Sequence, residues 1–188
     1  MPVYTELYTP TLGQEQIDHS VRGNVMSGTE MQAASGRVQE FLDSDAAEGL
    51  FSESERVYAE IALGLVHERG ETLDQSGGRG PMGPAFMDAY RHIRGMMRDE
   101  RAQDPHSADL TALSNAHAAG EVASEKLDAL LAAAHGKRDL GTAVEYITSE
   151  AFQAEHPTVE HGPDMFRGMS QGQIDQLAAA AMASLLGK

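Results

Sequence analysis

The amino-acid sequence predicts a mostly α-helical protein, an irregular or orthogonal bundle of about six helices around one long central helix. Residues 106–136 form a long segment of helical periodicity with a start signal and a stop signal. Capping boxes, in which Ser or Thr precedes Glu or Gln by three residues, recur along the chain. No convincing pair of adjacent strands is found. We predict a single α-helical domain over residues 28–188, preceded by an extended N-terminal arm or tail over residues 1–27.

The N-terminal arm carries an apolar cluster of Tyr4, Leu7 and Tyr8 just before Pro10. Tyr and Thr favour extended backbone and proline would end a helix, so an extended conformation is expected. The cluster either lies in a groove, where it would contact another subunit, or belongs to a frayed terminus. Both interpretations stay open.

Two helices are predicted in the first half of the domain. The first begins after Ser27 or Thr29 and runs to about Asp43, with apolar residues at helical spacing. The second begins with a capping box formed by Ser52 and Glu55 and continues with a clear apolar stripe.

The second helix is predicted to end near Gly70, before a segment rich in glycine and proline at residues 71–84. A phosphate-binding loop would need Lys followed by Ser or Thr after its last glycine, and a dinucleotide-binding loop would need a preceding strand. Neither feature is found, so residues 71–84 are predicted to be a flexible connector.

A third helix is predicted to begin at Pro84, because proline is favoured in the first turn of a helix. Four arginines, which we call the arginine face, lie on or beside the side opposite its apolar residues: Arg91, Arg94, Arg98 and Arg101. They are the one basic concentration in an acidic chain. They either pair with Asp and Glu of the same protein or contact an acidic partner or another subunit. Arg91, Arg94 and Arg98 are therefore interface candidates.

The central helix has Ser107 as its predicted N-cap and Gly136 at its end. Its buried stripe has leucines at both ends and a waist of small or polar residues between them, at His117, Gly120 and Ser124. Alanines flank this waist. They favour the close approach of a crossing helix over a polar site.

Two shorter helices are predicted after the central one. A capping box of Thr142 and Glu145 begins a helix that ends before Pro157, and a box of Ser170 and Gln173 begins the last helix. The first of these helices is short, and the second closes near the C-terminus.

A weak set of potential metal ligands lies near the C-terminus, at His156, His161 and Asp164, and His117 is a further candidate in the bundle. His156 and His161 are five residues apart across a proline, which is not the spacing of two ligands on one helix face. A polar surface loop is the favoured interpretation. The sequence contains no recognised catalytic motif, and no cofactor is predicted.

The chain has 14 basic and 29 acidic residues and a formal net charge of −15. This charge repels a nucleic-acid backbone, so we expect no nucleic-acid partner. The absence of cysteine excludes disulfides and thiolate sites. No apolar run long enough to span a membrane and no signal peptide are recognised. We expect a soluble protein without a membrane partner, cytoplasmic by default.

These features together favour a non-enzymatic helical assembly or adaptor protein that docks on a protein partner or on itself. A virion component, a secreted effector and a cellular adaptor fit equally well. Two alternatives stay open: a metal-binding domain or metal-dependent enzyme that uses a histidine and carboxylate cluster, and a helical bundle that binds a small ligand.

Overall fold

The computed structural model describes residues 21–136 and 139–157 and, nearer the C-terminus, residues 172, 175, 176, 179 and 180. It confirms the predicted mostly α-helical fold. In chain order, the elements are β1 (Val25–Ser27), α1 (Gly28–Leu42), a 3-10 turn (Asp45–Ala47), α2 (Glu53–Ser76), β2 (Arg79–Pro81), α3 (Gly83–Gln103), α4 (Ala108–His135), α5 (Leu140–Ile147) and α6 (Glu150–Glu155). The last predicted helix, from Ser170, lies largely outside the described residues.

Capping boxes begin the first two helices. The Ser27 hydroxyl accepts the Glu30 N–H at 3.2 Å, while the Glu30 carboxylate accepts the Ser27 N–H at 2.7 Å. Ser52 and Glu55 make the same reciprocal pair at the start of α2. The predicted start of each helix is confirmed, because these side chains satisfy backbone N–H groups that have no partner within the helix.

The predicted end of the second helix near Gly70 is wrong. Helix α2 continues to Ser76 and ends at Gly77, whose φ of 65° is the left-handed conformation that glycine adopts most readily. Gly70 instead lies where α1 crosses α2, since a Cβ there would come within 2.8 Å of the Gly28 carbonyl oxygen. Close packing, not helix termination, accounts for Gly70.

One short strand, β2, lies in the predicted connector and pairs with β1 from the predicted N-terminal arm, so the expectation of no strand pair is also wrong. Strands β1 and β2 pair antiparallel, with Val25 opposite Pro81, Met26 opposite Gly80 and Ser27 opposite Arg79. Three residues a strand are too few to produce a recognisable alternation of apolar and polar side chains. The ribbon joins the chain entering α1 to the chain entering α3.

Residues 21–27, predicted as part of the N-terminal arm, belong to the folded domain. Val21 and Met26 are buried in the core, and the Arg22 carbonyl oxygen accepts the Gly83 N–H at 2.8 Å. Val21, Val25 and Met26 are the apolar residues of this segment, and their spacing gave too weak a pattern to predict this. The cluster of Tyr4, Leu7 and Tyr8 lies outside the described residues.

Helix α4 is the centre of the fold, as predicted, and packs against α1, α2, α3 and α5. Its N-cap Ser107 and its end at Gly136 are confirmed. From Val122 to Ala134 every side chain except Glu125 is buried, so this half of the helix is surrounded by protein on all sides. Polar groups in this half must therefore find partners within the fold.

The segment after α4 folds as two helices rather than the one predicted from Thr142. Helix α5 begins earlier, because the Asp139 side chain accepts the Gly141 N–H at 3.0 Å and caps the helix. The Thr148 hydroxyl donates to the Val144 carbonyl oxygen at the end of α5, and Ser149 caps α6. Side-chain hydrogen bonds to the backbone interrupt the helix at this point.

Within the described residues, no helix is long and apolar enough to cross a membrane.

Candidate functional site

Helix α3 presents the arginine face to solvent. Proline in its first turn begins the helix, and Phe86, Ala89 and Ile93 are buried on its inner side. Arg91, Arg94, Arg98 and Arg101 follow the outer side over about 15 Å, at 1.5 Å per residue. These four arginines, with Gly95 and Met97, line one open groove of about 510 Å³. The structure thus brings together Arg91, Arg94 and Arg98, the three interface candidates of this helix.

The ion pairs of the arginine face are weak. Arg91 lies 3.1 Å from the Asp88 carboxylate, with side chains 72% and 55% exposed. Arg98 lies 3.8 Å from its neighbour Asp99, with side chains 84% and 71% exposed. Ion pairs as exposed as these contribute about 0–1 kcal/mol to the free energy of unfolding. Among the described residues, Arg94 and Arg101 form no ion pair.

A second, acidic groove of about 410 Å³ lies where the C-terminal part of α3 faces the start of α4. Val57, Met96 and Leu113 contribute apolar surface to it, and three carboxylates line it as well: Asp99, Glu100 and Asp109. Helix α3 therefore exposes both a basic face and an acidic face, and Asp99 lies between them.

The waist of α4 is filled by aromatic side chains from the two helices that cross it. A Cβ on Gly120 would come within 2.8 Å of both the Tyr58 ring of α2 and the Tyr90 ring of α3. The Ser124 hydroxyl donates to the Tyr58 hydroxyl at 2.8 Å, which in turn donates to the Phe86 carbonyl oxygen at 3.2 Å. Burial raises the pKa of Tyr58 to about 12. The waist is a close crossing of helices, as the flanking alanines predicted.

Two buried charges on α4 were not recognised from the sequence. The Lys126 ammonium donates to the Glu55 carboxylate at 2.9 Å and to the Leu50 carbonyl oxygen at 2.7 Å. Lys126 and Glu55 are 6% and 0% exposed, and the Glu55 Oε1 atom has no hydrogen-bond partner among the described residues. This ion pair joins the capping box of α2 to the middle of the central helix.

Asp128, one residue past Leu127, anchors the start of the described chain. Its carboxylate accepts the Arg22 N–H at 3.0 Å and lies 3.9 Å from the Arg22 Nε. The Arg22 guanidinium also pairs with Glu125 and lies over the Phe86 ring, 5.5 Å from its centroid. Burial raises the pKa of Asp128 to about 7, which outweighs the opposite effect of Arg22.

The candidate metal ligands are not brought together within the described residues. The half-buried His117 packs edge-on against the Tyr90 ring at 5.5 Å, and His156 follows α6 with its ring 4.7 Å from that of Phe152. His161 and Asp164 lie outside the described residues. In the part of the chain that is described, no group of three or more His, Asp or Glu side chains could share a metal ion.

The chain matches no protein-family model, and no curated protein or solved structure shows significant similarity to it. Function must therefore be inferred from the surface and the core of this molecule.

Proposed function

We propose that this protein is a non-enzymatic helical assembly or adaptor protein that docks through the arginine face of α3 on a protein partner or on another copy of itself. The observation that carries this proposal is the exposure of four arginines around one groove in a chain of net charge −15. Guanidinium groups bind carboxylates through two parallel hydrogen bonds, and arginine is enriched at protein interfaces.

Other arginines of the same chain show how a structural arginine is held. Arg56 donates to the Leu42 carbonyl oxygen at 2.6 Å, to Asp43 at 2.8 Å and to Glu60 at 3.0 Å. Arg22 is held between Glu125 and Asp128. The arginine face has no such set of partners among the described residues, although the chain has 29 carboxylates. A role in binding accounts for its position better than a role in folding.

The partner that this face fits is an acidic protein surface. The cluster of Tyr4, Leu7 and Tyr8 is proposed as a second contact, because aromatic and leucine side chains are suited to a partner's groove. The two contacts would act together, with the arginine face supplying the charge and the arm the apolar area.

The experiment compares the full chain with an Arg91→Ala/Arg94→Ala/Arg98→Ala variant, and with Arg79→Ala as a control at an exposed arginine on β2. Size exclusion with light scattering gives the oligomeric state, and affinity capture followed by mass spectrometry identifies bound proteins. We expect the triple variant to lose the assembly or the specific partner, while the control keeps it. A wild type that is monomeric and captures the same proteins as the triple variant would contradict the proposal.

A further inference from the structure

The outer side of α3 carries opposite charges at equal distances from one glycine. Arg91 and Asp99 lie four residues before and after Gly95, and four residues are slightly more than one helical turn. All three residues therefore lie on the same side of the helix. A Cβ on Gly95 would meet no atom within 4 Å, so among the described residues this side of α3 is open.

With Gly95 of the two copies side by side, a second copy of the same helix would complement this pattern only in the antiparallel direction. When two α3 helices lie antiparallel with Gly95 of one beside Gly95 of the other, Arg91 of each copy comes opposite Asp99 of the other. A parallel arrangement would place Arg91 beside Arg91 and Asp99 beside Asp99. The contact has two-fold symmetry, the commonest symmetry of protein dimers.

The ion pairs that Arg91 and Asp99 form within one copy do not prevent these residues from pairing between two copies. The pairs of Arg91 with Asp88 and of Asp99 with Arg98 are exposed and together contribute little. The net charge of −15 on each copy opposes association at long range. At physiological ionic strength the screening length is about 8 Å, so the charges in direct contact decide the outcome.

We propose that a second copy of this chain docks on the outer side of α3, antiparallel and centred on Gly95, with Arg91 of each copy paired to Asp99 of the other. This inference rests on the proposed function and names the partner as the chain itself.

The experiment is a charge exchange followed by sedimentation equilibrium of the full chain at one ionic strength near the physiological value. In Arg91→Asp two acidic residues face each other, and in Asp99→Arg two basic residues do. We expect each single variant to raise the dimer Kd at least about tenfold, because like charges in contact repel. The double variant Arg91→Asp/Asp99→Arg, and an equimolar mixture of the two single variants, should recover dimerisation.

Asp99→Arg is the most informative variant, since it makes the net charge less negative. If only overall repulsion mattered, it would strengthen the dimer instead of weakening it. A monomeric wild type, or single variants that dimerise like the wild type, would overturn the inference. So would a mixture of single variants that stays monomeric while their thermal unfolding matches that of the wild type. Partner binding that depends on the arginine face in a monomeric wild type would leave the proposed function standing.

Discussion

Ser124 on α4 donates its hydroxyl hydrogen to the Tyr58 hydroxyl on α2 across 2.8 Å, one turn after the position where Gly120 lets the Tyr58 ring approach the central helix. Because Tyr58 passes its own hydrogen to the Phe86 carbonyl oxygen, this buried chain of two hydrogen bonds joins α2, α3 and α4. The helix that bears the arginine face is thereby fixed to the centre of the fold.

Tyr58→Phe should destabilise the protein by about 1–3 kcal/mol, since it removes both hydrogen bonds from a buried site. Ser124→Ala should cost about 0.5–1.5 kcal/mol, because it removes one hydrogen bond. The two changes share a partner, so chemical denaturation of the double variant should show a coupling of at least about 0.5 kcal/mol. Fully additive effects would show that the hydroxyls do not interact.

Gly120→Ala should destabilise the protein by about 1–3 kcal/mol, because the added methyl group would overlap the rings of Tyr58 and Tyr90. The matched control is Gly64→Ala on α2, where a Cβ meets no atom of the described residues within 4 Å. That change should stabilise the protein by about 0.5–1 kcal/mol through helix propensity. Thermal unfolding of both variants checks the prediction, and a neutral Gly120→Ala would contradict the close crossing.

Lys126→Met should destabilise the protein by about 3–5 kcal/mol, because it leaves the Glu55 carboxylate buried without its counter-charge. Adding Glu55→Gln removes that charge while keeping an acceptor for the Ser52 N–H, so the double variant should recover much of the loss. Urea denaturation of both variants and the wild type gives the measurement. A double variant no more stable than Lys126→Met would mean that the buried charge is not the cause.

Asp128 should make stability depend on pH between about 4 and 7. Because its pKa is about 7 in the folded protein and 3.8 for the ordinary group, the folded protein holds a proton there that the unfolded chain has released. The stabilisation that the protonated Asp128 gives the folded protein is therefore fully present below about pH 4. It is lost as the pH rises to about 7, and the free energy of unfolding falls by up to about 1.4 kcal/mol per pH unit.

The control is Asp128→Asn, whose amide oxygen can still accept the Arg22 N–H but carries no charge at any pH. The wild type should lose stability relative to this variant as the pH is raised from 5 to 7, measured by denaturation at several pH values. Parallel pH profiles for the two proteins would contradict the raised pKa of Asp128.

Local signals predicted the helices well because they are complete within a few residues. The capping box of Ser52 and Glu55 needs only four residues, so it was read correctly. Gly70 was misread as a helix end because its cause is the backbone of α1, which is distant in sequence. The capping box of Thr142 and Glu145 predicts a helix start at Thr142, but Asp139, three residues earlier, caps the helix in the structure.

The residues of the candidate site also divide into those with a local sequence signal and those without one. The arginine face follows from helical spacing on one helix, so it was recognised from the sequence. Lys126 and Asp128 were missed, although charges inside a run that is buried on all sides require partners. Their partners Glu55 and Arg22 are 71 and 106 residues away, and no local pattern indicates them.

The central claim is that the arginine face is where this protein binds another protein, and chemical footprinting of arginines tests it most directly. Arginine-specific modification followed by mass spectrometry would be run on the full chain, free and in the complex, whether the bound protein is a captured partner or a second copy. We expect Arg91, Arg94, Arg98 and Arg101 to become protected on binding, while Arg79 on the β-ribbon keeps its reactivity. Equal modification of the four arginines in the free and bound states would contradict the claim.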